Sequence, residues 1–374
     1  MDFKINKEQK EYINEVIKFA KENLNDEKDL EAFSREQWRK VSEFGILGIT
    51  LPEEYGGMAE SYMIAAQVVE ALGYGCINNG LTFVINNHIW VAQNIIYHYG
   101  SPFLREKYLK RMTSGELIGA FALTEAEAGS DAFSLTTIAE EEDCYILNGS
   151  KVFVSNGAIA DVFVVIAKTQ CGNDIKFTAF VVEKEFEGLS KGAELEKMGL
   201  NSCPICEIIM DNCRVPKENV LGVVGQGSSI VTSILEWERI YEFVPHIGAM
   251  RRILEQCCEY VNTRKQFNKH IKEYQQVSSK IAEMKMRIEL AETYMYKIAD
   301  LKDKKKSAFM EASVFKLFVS ESYVETCKDA MQIFGAYGYS KEYGLEREMR
   351  DALASTIYSG TNEIQRNTIF NMTM

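Results

Sequence analysis

The sequence lacks any uninterrupted apolar run of the roughly 20 residues that a membrane-spanning helix requires. It is also short of positive charge, since 42 lysines and arginines stand against 54 aspartates and glutamates, for a net charge of -12. Nucleic acid and anionic membrane surfaces need a basic face, so this balance disfavours both as partners. The segment Met1–Lys4 leads straight into a charged amphipathic pattern rather than a signal peptide. We therefore expect a cytoplasmic protein that binds neither membrane nor nucleic acid.

A complete metal-binding pattern is also missing. Cys203 and Cys206 have the spacing of half a zinc site or of a redox pair, but no second Cys or His pair follows at a suitable distance. The nine cysteines are odd in number and scattered, which is typical of free thiols in a reducing compartment. We therefore expect no metal site.

The hydrophobic pattern changes twice along the chain. It is helical up to about Glu116, extended through the middle, and helical again with apolar residues in alternating steps of four and three. No dinucleotide fingerprint opens the middle part, which argues against a Rossmann domain. The pattern predicts an N-terminal helical domain over 1–117, a middle antiparallel β domain over 118–224 and a C-terminal helical bundle over 225–374. The apolar seam of the bundle comprises Val277, Ile281, Met284, Ile288, Ala291, Met295 and Ile298.

Several local features interrupt these patterns. Asn87 and its polar neighbours lie in the apolar segment 79–99, where they line a pocket or are satisfied within a core helix. A tight turn at Asn148–Gly149, between β-branched and aromatic runs, predicts a β-hairpin, because both residues tolerate positive φ. Pro245 falls inside a helical pattern and should kink it. Thr124 and Ser130 follow a short apolar run, which predicts a ligand-facing loop with exposed N–H groups and hydroxyls.

Two segments resemble motifs of the acyl-CoA dehydrogenase family of flavoproteins. They are Leu-Thr-Glu-Ala-Glu-Ala-Gly-Ser-Asp at 123–131 and Leu-Asn-Gly-Ser-Lys-Val-Phe-Val-Ser-Asn-Gly at 147–157, and further family motifs occur in the family's order from Leu51 to Thr361. The resemblance implies a mainly α fold with a central antiparallel β domain: an N-terminal helical domain, a middle β-barrel-like domain and a C-terminal four-helix bundle. It also implies bound FAD and a homotetramer that is a dimer of dimers.

The resemblance further implies which residues bind FAD. The segment Arg264–Phe267 would reach the flavin phosphates of a neighbouring subunit, and Gln332–Gly335 would lie near the adenine end. Three positions depart from the family pattern: Phe153 stands for the usual Trp, and Asn268 and Ala336 stand for Gly. The implied FAD-binding residues are Thr124, Ser130, Phe153, Ser155, Arg264, Gln266, Phe267, Gln332, Gly335, Thr361 and Glu363.

The position of the catalytic base distinguishes branches of the family. Removing a proton beside a thioester carbonyl needs a base, donors for the carbonyl oxygen and a hydride acceptor. Most members carry Glu before the Gly-Thr of the C-terminal motif, but that residue here is Ser359, which cannot act as a base at neutral pH. The branch typified by isovaleryl-CoA dehydrogenase has its base in a Leu-x-x-Glu-Arg segment, and here the match falls on Glu238. Ser359 would still offer its backbone N–H to the thioester oxygen.

Helical spacing gives Glu238 independent support, because it shares a face with apolar residues that would raise its pKa. The alternative is a surface glutamate on a charged helix. Glu236 and Glu242, the other carboxylates of this segment, are expected to face water or to pair with a neighbouring arginine. The residues expected to contact substrate are Arg239, Tyr241, Tyr358, Ser359 and Gly360.

Three functions follow from this reading. The first is an FAD-dependent dehydrogenase that forms an α,β double bond in an acyl-CoA thioester and passes electrons to an electron-transfer flavoprotein. A close variant acts on an acyl or aminoacyl group tethered to a carrier protein, with oxygen as a possible electron acceptor. The second is a flavin monooxygenase or oxidase on the same scaffold, against which Glu238 argues. The third is a non-catalytic flavoprotein that lost its base at Ser359.

Overall fold

The computed structural model describes residues 6–374, and the first part of this range is helical. Asn6 begins the first helix, because its side chain accepts a hydrogen bond from the backbone N–H of Gln9. A π-helical segment, Asn87–Gln93, separates the fourth and fifth helices. The helices are α1 (Lys7–Asn23), α2 (Arg35–Phe44), α3 (Tyr62–Gly75), α4 (Asn79–Asn86), α5 (Asn94–Tyr99) and α6 (Pro102–Thr113).

The middle part of the chain is an eight-stranded sheet. Its strands are β1 (Gly119–Ala122), β2 (Ile138–Glu141), β3 (Tyr145–Ser155), β4 (Val162–Cys171), β5 (Asp174–Glu183), β6 (Leu189–Glu194), β7 (Ile205–Val215) and β8 (Val220–Leu221). The order is β6-β7-β3-β2-β4-β5-β8, and β1 pairs with β4. Only the pairings of β4 with β1 and β2 are parallel. The sheet is therefore chiefly antiparallel, as predicted.

The predicted hairpin at Asn148–Gly149 is wrong. Both residues lie inside the continuous strand β3, where the pairing with β7 shifts register between Leu147 and Gly149. Gly149 has a φ of 147°, and a Cβ there would lie 2.5 Å from the Thr137 Oγ1. Positive φ and the absence of a side chain are thus used for a β-bulge rather than for a turn. The hairpin joins β2 and β3 and turns at 142–144 instead.

The last part of the chain is a helical bundle with the predicted seam. Its elements are α7 (Gly227–Tyr241), α8 (Val244–Thr263), β9 (Lys265–Gln266), β10 (Lys269–His270), α9 (Gln275–Asp303), α10 (Phe309–Phe334), α11 (Ala336–Tyr339), α12 (Leu345–Ala354) and α13 (Asn362–Thr373). The five seam residues from Met284 onward are completely buried. The first two, Val277 and Ile281, are half-buried. The predicted architecture is confirmed, and the domain limits stay a prediction.

Pro245 marks a helix boundary rather than the expected kink. It lies in the first turn of α8, where a missing N–H leaves no hydrogen bond unmade. The α8 helix packs closely on α3, because a Cβ on Gly248 would come within 2.1 Å of the Glu70 carbonyl oxygen. Within 6–374, no helix combines the length and apolarity needed to cross a membrane.

Candidate active site

Glu238 lies near the end of α7 and is partly exposed. Burial raises the pKa of its carboxyl, against the opposing effects of the Ser359 hydroxyl and of the positive charges of Arg239 and Lys316. A carboxyl with a raised pKa is better matched to accept a proton near neutral pH. The assignment of Glu238 as the base stays a prediction.

Ser359 and Gly360 form a loop that is held by its carbonyl oxygens. Ser359 has a φ of 59° and Gly360 a φ of 82°. The Ser359 oxygen accepts hydrogen bonds from Arg239 Nε at 3.2 Å and Gln365 Nε2 at 3.1 Å, and Gln365 also donates to the Gly360 oxygen at 2.8 Å. Within the described chain, the backbone N–H of Ser359 and that of Gly360 donate no hydrogen bond. These two N–H groups can therefore bind an oxygen atom from outside the protein.

The other two carboxylates of this segment do not behave as expected. Glu236 is buried and accepts hydrogen bonds from Lys302 Nζ at 2.5 Å, Ser307 Oγ at 2.9 Å and the Ala308 N–H at 3.0 Å. Glu242 is 1 % exposed, and neither of its carboxyl oxygens has a hydrogen-bond partner in the described chain. The expectation that both face water or pair with arginine is therefore wrong. Spacing along one helix did not reveal that α9 and the π-helical segment cover this face.

The residues predicted to contact substrate fall into two groups. Arg239 is 3 % exposed, and its Nη1 donates to Ser313 Oγ at 3.2 Å, so it links α7 with α10 and the Ser359 loop. The Tyr358 hydroxyl lies 2.7 Å from His246 Nε2. Tyr241 instead packs on Trp90 and donates to the Tyr62 carbonyl at 3.1 Å, in the core. A substrate contact by Tyr241 stays a prediction without support from these contacts.

A buried ion pair holds the loop that follows β1. The fully buried Lys151 Nζ lies 2.8 Å from Glu125 Oε1 and donates to the Leu123 carbonyl at 3.1 Å. Burial by itself would raise the pKa of Glu125, but hydrogen bonds from Lys151, Thr137 and Thr136 outweigh it and lower the pKa to about 2. The sequence analysis missed this pair. The sequence feature that could have revealed the pair is Lys151 itself, a lysine at a position of β3 that should face the core.

The predicted FAD-binding residues of the β domain lie on the two segments that this ion pair joins, the loop after β1 and the strand β3. The backbone oxygen of Thr124, which is half-buried, accepts a hydrogen bond from the Val152 N–H at 2.8 Å, and Ser130 is exposed. Phe153 lies at a second irregularity of β3, has a φ of 55° and is 63 % exposed. Ser155 is half-buried two residues further on. A large aromatic ring that is held exposed by a strained backbone is consistent with stacking on a planar ligand.

The C-terminal residues border a cleft of about 490 Å³. Thr361 caps α13, because its hydroxyl accepts a hydrogen bond from the Ile364 N–H, and Glu363 is exposed in the first turn. Both residues line the cleft. The free N–H groups of the Ser359 loop are hydrogen-bond donors and the exposed Phe153 ring is an aromatic surface, which are the kinds of group that a bound flavin needs, so the residues present fit one.

The remaining predicted FAD-binding residues lie on exposed segments. Arg264 ends α8, Gln266 is in β9, and Phe267 is 90 % exposed at the tip of the β9–β10 hairpin, with a φ of 53°. Gln332 and Gly335 are exposed at the end of α10. The hydrogen bonds of the described residues do not join either segment to the loop at Thr124. A role for them in binding FAD stays a prediction and requires a second subunit.

Two buried polar residues near Glu238 were not identified as site residues. Lys316, on α10, donates to Asn362 Oδ1 at 2.6 Å, and burial lowers its pKa to about 7. Asn87 is 4 % exposed, and its Oδ1 has no hydrogen-bond partner in the part of the chain that the structure covers. Its neighbour His88 is satisfied as a core residue by the Gly119 N–H and the Met112 carbonyl. The segment 79–99 therefore combines both interpretations that the sequence allowed.

No group of three or more His, Cys, Asp or Glu side chains in the range 6–374 could hold a metal ion. All nine cysteines are unpaired. Cys203 lies just before β7 and Cys206 lies within it; both are buried, and burial raises the pKa of both thiols.

Three family models match successive parts of the chain. They describe the acyl-CoA dehydrogenase N-terminal domain over residues 6–116, the middle domain over 120–213 and the C-terminal domain over 225–373. The matches leave only short segments of the sequence uncovered.

Similar proteins include members with different acyl carriers. An L-prolyl-[peptidyl-carrier protein] dehydrogenase of Pseudomonas fluorescens is 35% identical over 99% of this chain and 98% of the relative. The structure of PigA with FAD and proline superposes with a TM-score of 0.96 at 32% identity, covering 100% of this chain and 99% of that one. Butyryl-CoA dehydrogenase of Megasphaera elsdenii gives a TM-score of 0.94 at 33% identity, with both chains fully covered.

Proposed function

The chain belongs to the acyl-CoA dehydrogenase family, and on this basis we propose that Glu238 is the base of its reaction. The protein is an FAD-dependent oxidoreductase that acts on CH–CH bonds, an acyl-thioester dehydrogenase that takes an α-proton and a β-hydride. Members of the family carry out this chemistry with a carboxylate, and two branches place it on different parts of the chain.

One observation carries the assignment of the base. Arg239, the residue after Glu238, donates to the Ser359 carbonyl at 3.2 Å, which supports the proposal that the two family positions for the base lie close together. Ser359 cannot accept the proton, and Glu236 is occupied by three hydrogen bonds. Glu238 is therefore the carboxylate best placed to remove a proton beside the Ser359 loop.

Each residue near Glu238 has a separate role in the proposed reaction. A Glu238 oxygen takes the α-proton, and the Ser359 N–H donates to the thioester oxygen, where negative charge develops. Arg239 holds the Ser359 carbonyl, which fixes the peptide plane that also carries the free N–H of Gly360. The charges of Arg239 and Lys316 favour the ionised form of Glu238.

FAD, when bound, supplies the acceptor for the β-hydride. Thr124, Ser130, Phe153, Ser155, Thr361 and Glu363 would hold it from within one chain. Arg264, Gln266, Phe267, Gln332 and Gly335 would contact the FAD of a second subunit. Phe267 is 90 % exposed at the tip of the hairpin that follows Arg264, so this segment is free to contact a second subunit. A homotetramer, and a cytoplasmic location that suits nine unpaired thiols, are part of the same proposal.

A carrier-tethered acyl or aminoacyl group is the second candidate substrate. An aminoacyl group is supported by Glu242, a buried carboxyl that has no hydrogen-bond partner in the described chain and that an apolar acyl group would leave unpaired. The carrier is suggested by the similar L-prolyl-[peptidyl-carrier protein] dehydrogenase. An electron-transfer flavoprotein is the expected electron acceptor for a CoA substrate, and oxygen is the alternative for a carrier substrate.

Anaerobic bleaching of the flavin by a panel of CoA and carrier-protein thioesters tests the function. Glu238→Gln keeps the size of the side chain but removes the basic oxygen, so the rate of flavin reduction should fall by at least about 100-fold. FAD content and melting temperature should stay at the parent values. A fully active Glu238→Gln variant would show that another residue is the base, and a panel without any bleaching would overturn the dehydrogenase assignment.

A further inference from the structure

Glu242 is a buried carboxyl group without a counter-charge. It follows Glu238 by one helical turn, and its backbone N–H donates to the Glu238 carbonyl at 3.1 Å. Its side chain is 1 % exposed, and both carboxyl oxygens lack a hydrogen-bond partner within the described chain. Leaving a buried carboxyl unpaired is costly, so an isolated one calls for a partner from outside the chain.

Electrostatic effects on neighbouring groups show what surrounds this carboxyl. A negative charge on Glu242 acts together with one on Glu238 to raise the pKa of Tyr358, and it also raises the pKa of Cys203, in both cases in addition to burial. The Asn87 amide of the π-helical segment lowers the pKa of Glu242, and the Asn87 Oδ1 is unpartnered in the described chain. The carboxyl at the C-terminal end of α7 is therefore within electrostatic reach of the π-helical segment, of Cys203 and of Tyr358, which directly precedes the candidate oxyanion donor.

None of these neighbours is a cation. Burial lowers the pKa of His246 to about 3, so the imidazole beside Tyr358 is neutral. Arg239 is engaged with Ser359 and Ser313, and Lys316 with Asn362. Burial and the charge of Glu238 consequently raise the pKa of Glu242, with only the Asn87 amide acting against them.

Aromatic rings pack around Tyr358, on which the charge of Glu242 acts. The Tyr358 ring centroid lies 4.8 Å from that of Phe83 and 5.1 Å from that of Phe243. Aromatic faces beside a carboxylate are the usual surroundings of a bound ammonium group, because the ring quadrupole and the negative charge both attract it. An apolar acyl chain would gain from the rings but would leave the carboxyl unpaired.

We propose that Glu242, with Asn87, binds the positively charged nitrogen of an α-aminoacyl thioester and so selects aminoacyl over simple acyl substrates. This inference rests on the proposed dehydrogenase function and names its substrate class. Glu242 acts as a specificity residue, and the α-proton is still removed by Glu238. The PigA structure with proline gives a reason to use the prolyl group as the probe.

A matched pair of substrates tests the contribution of the nitrogen to recognition. L-prolyl and cyclopentanecarbonyl thioesters have the same ring size, with a CH₂ group in place of the charged nitrogen. Each is presented both on CoA and on one phosphopantetheinylated peptidyl carrier protein to the FAD-loaded parent, Glu242→Gln, Glu242→Leu and Glu259→Gln. Glu259 is an exposed glutamate on α8 and serves as the control. FAD content and melting temperature identify any variant that does not fold, and the isosteric Gln variant is the one expected to fold if Leu does not.

The expected result is a change in preference. The parent should favour the prolyl thioester, and Glu242→Gln should lower kcat/KM for it by at least about 30-fold, the usual loss when one partner of a buried charge pair is removed. The rate with the cyclopentanecarbonyl thioester should change much less, and Glu242→Leu should raise it. Calorimetry should show weaker binding of L-prolinamide by Glu242→Gln with little change for cyclopentanecarboxamide. Glu259→Gln should behave as the parent.

Two outcomes would overturn the inference while leaving the proposed function in place. The first is a parent enzyme that favours the cyclopentanecarbonyl thioester. The second is an equal loss for both substrates in Glu242→Gln, which would make Glu242 a structural residue. If no thioester bleaches the flavin, whatever its acyl group or carrier, then the dehydrogenase function itself fails.

Discussion

Arg239 Nε lies 3.2 Å from the carbonyl oxygen of Ser359, so the residue after the candidate base holds the loop that carries the candidate oxyanion donor. The helix α7 and the C-terminal loop are thereby joined through a single buried guanidinium. Base and donor should keep their relative position when other parts of the site adjust to a ligand.

Arg239→Lys should separate this positioning role from simple stability. Lysine keeps the charge but cannot reach Ser359 and Ser313 together, because it lacks the planar fork of arginine. We expect kcat to fall about tenfold, equivalent to about 1.4 kcal/mol, and the free energy of unfolding to fall by about 1 to 3 kcal/mol. Arg287→Lys is the control, because Arg287 is also largely buried and pairs with Asp329. Equal kcat values in both variants would contradict the positioning role.

The pH dependence of the reaction should report the raised pKa of Glu238. A base is active when deprotonated, so kcat/KM should rise with pH, with its midpoint above the ordinary value of a glutamate. The Ser359 hydroxyl lowers this pKa, and Ser359→Ala should therefore move the midpoint to higher pH. Ser355→Ala, whose hydroxyl donates only to the Ala352 carbonyl, should leave it in place. An unchanged or lower midpoint in Ser359→Ala would refute the proximity of the two groups.

Arg264→Ala should weaken FAD binding without unfolding the protein. The Arg264 side chain is exposed, and only its backbone takes part in hydrogen bonds in the described chain. Loss of a charge-assisted hydrogen bond to a phosphate should raise the Kd for FAD by about 10- to 100-fold. Lys265→Ala removes a neighbouring positive charge and should have a smaller effect. If Arg264→Ala retains FAD as the parent does after gel filtration, the shared site is wrong.

Lys151→Met should destabilise the β domain and change its acid sensitivity. Removing one partner of a buried ion pair should cost about 3 to 5 kcal/mol in urea unfolding. The pKa of Glu125 is lowered from 4.5 to about 2, so the unfolded chain binds more protons between these values and this stability is lost as pH falls toward 2. In Lys151→Met the slope of stability against pH in this window should become smaller. A variant with the parent's slope would show that Lys151 does not set the Glu125 pKa.

The order of helices and strands could be predicted because it follows from the local hydrophobic pattern of the sequence. The seam from Met284 to Ile298 has a period set by one helix packing against its neighbours, and it is buried as predicted. The hairpin prediction at Asn148–Gly149 was wrong because positive φ is compatible with both a tight turn and a β-bulge. The choice between them depends on Thr137, which packs against Gly149 from the segment just before β2.

The candidate site was only partly predictable for a similar reason. Glu238 could be found from its helical face and its sequence context. The burial of Glu242 could not, because the groups around it come from the π-helical segment, the β domain and the C-terminal loop, far apart in the sequence. Lys151 gave a weak signal, since a lysine at an inward position of a strand requires a buried partner.

The Ser359 loop is held in place through its backbone carbonyl oxygens. The side chain of residue 359 is therefore not needed to hold the loop. Glutamate and serine can therefore exchange at this position while the N–H groups stay where they are. Two glutamates at once, at positions 359 and 238, would repel each other and share one proton, so neither would be fully available as a base. In such a fold the catalytic carboxylate can come from a different position in the sequence while the reacting atoms stay at the same point in space.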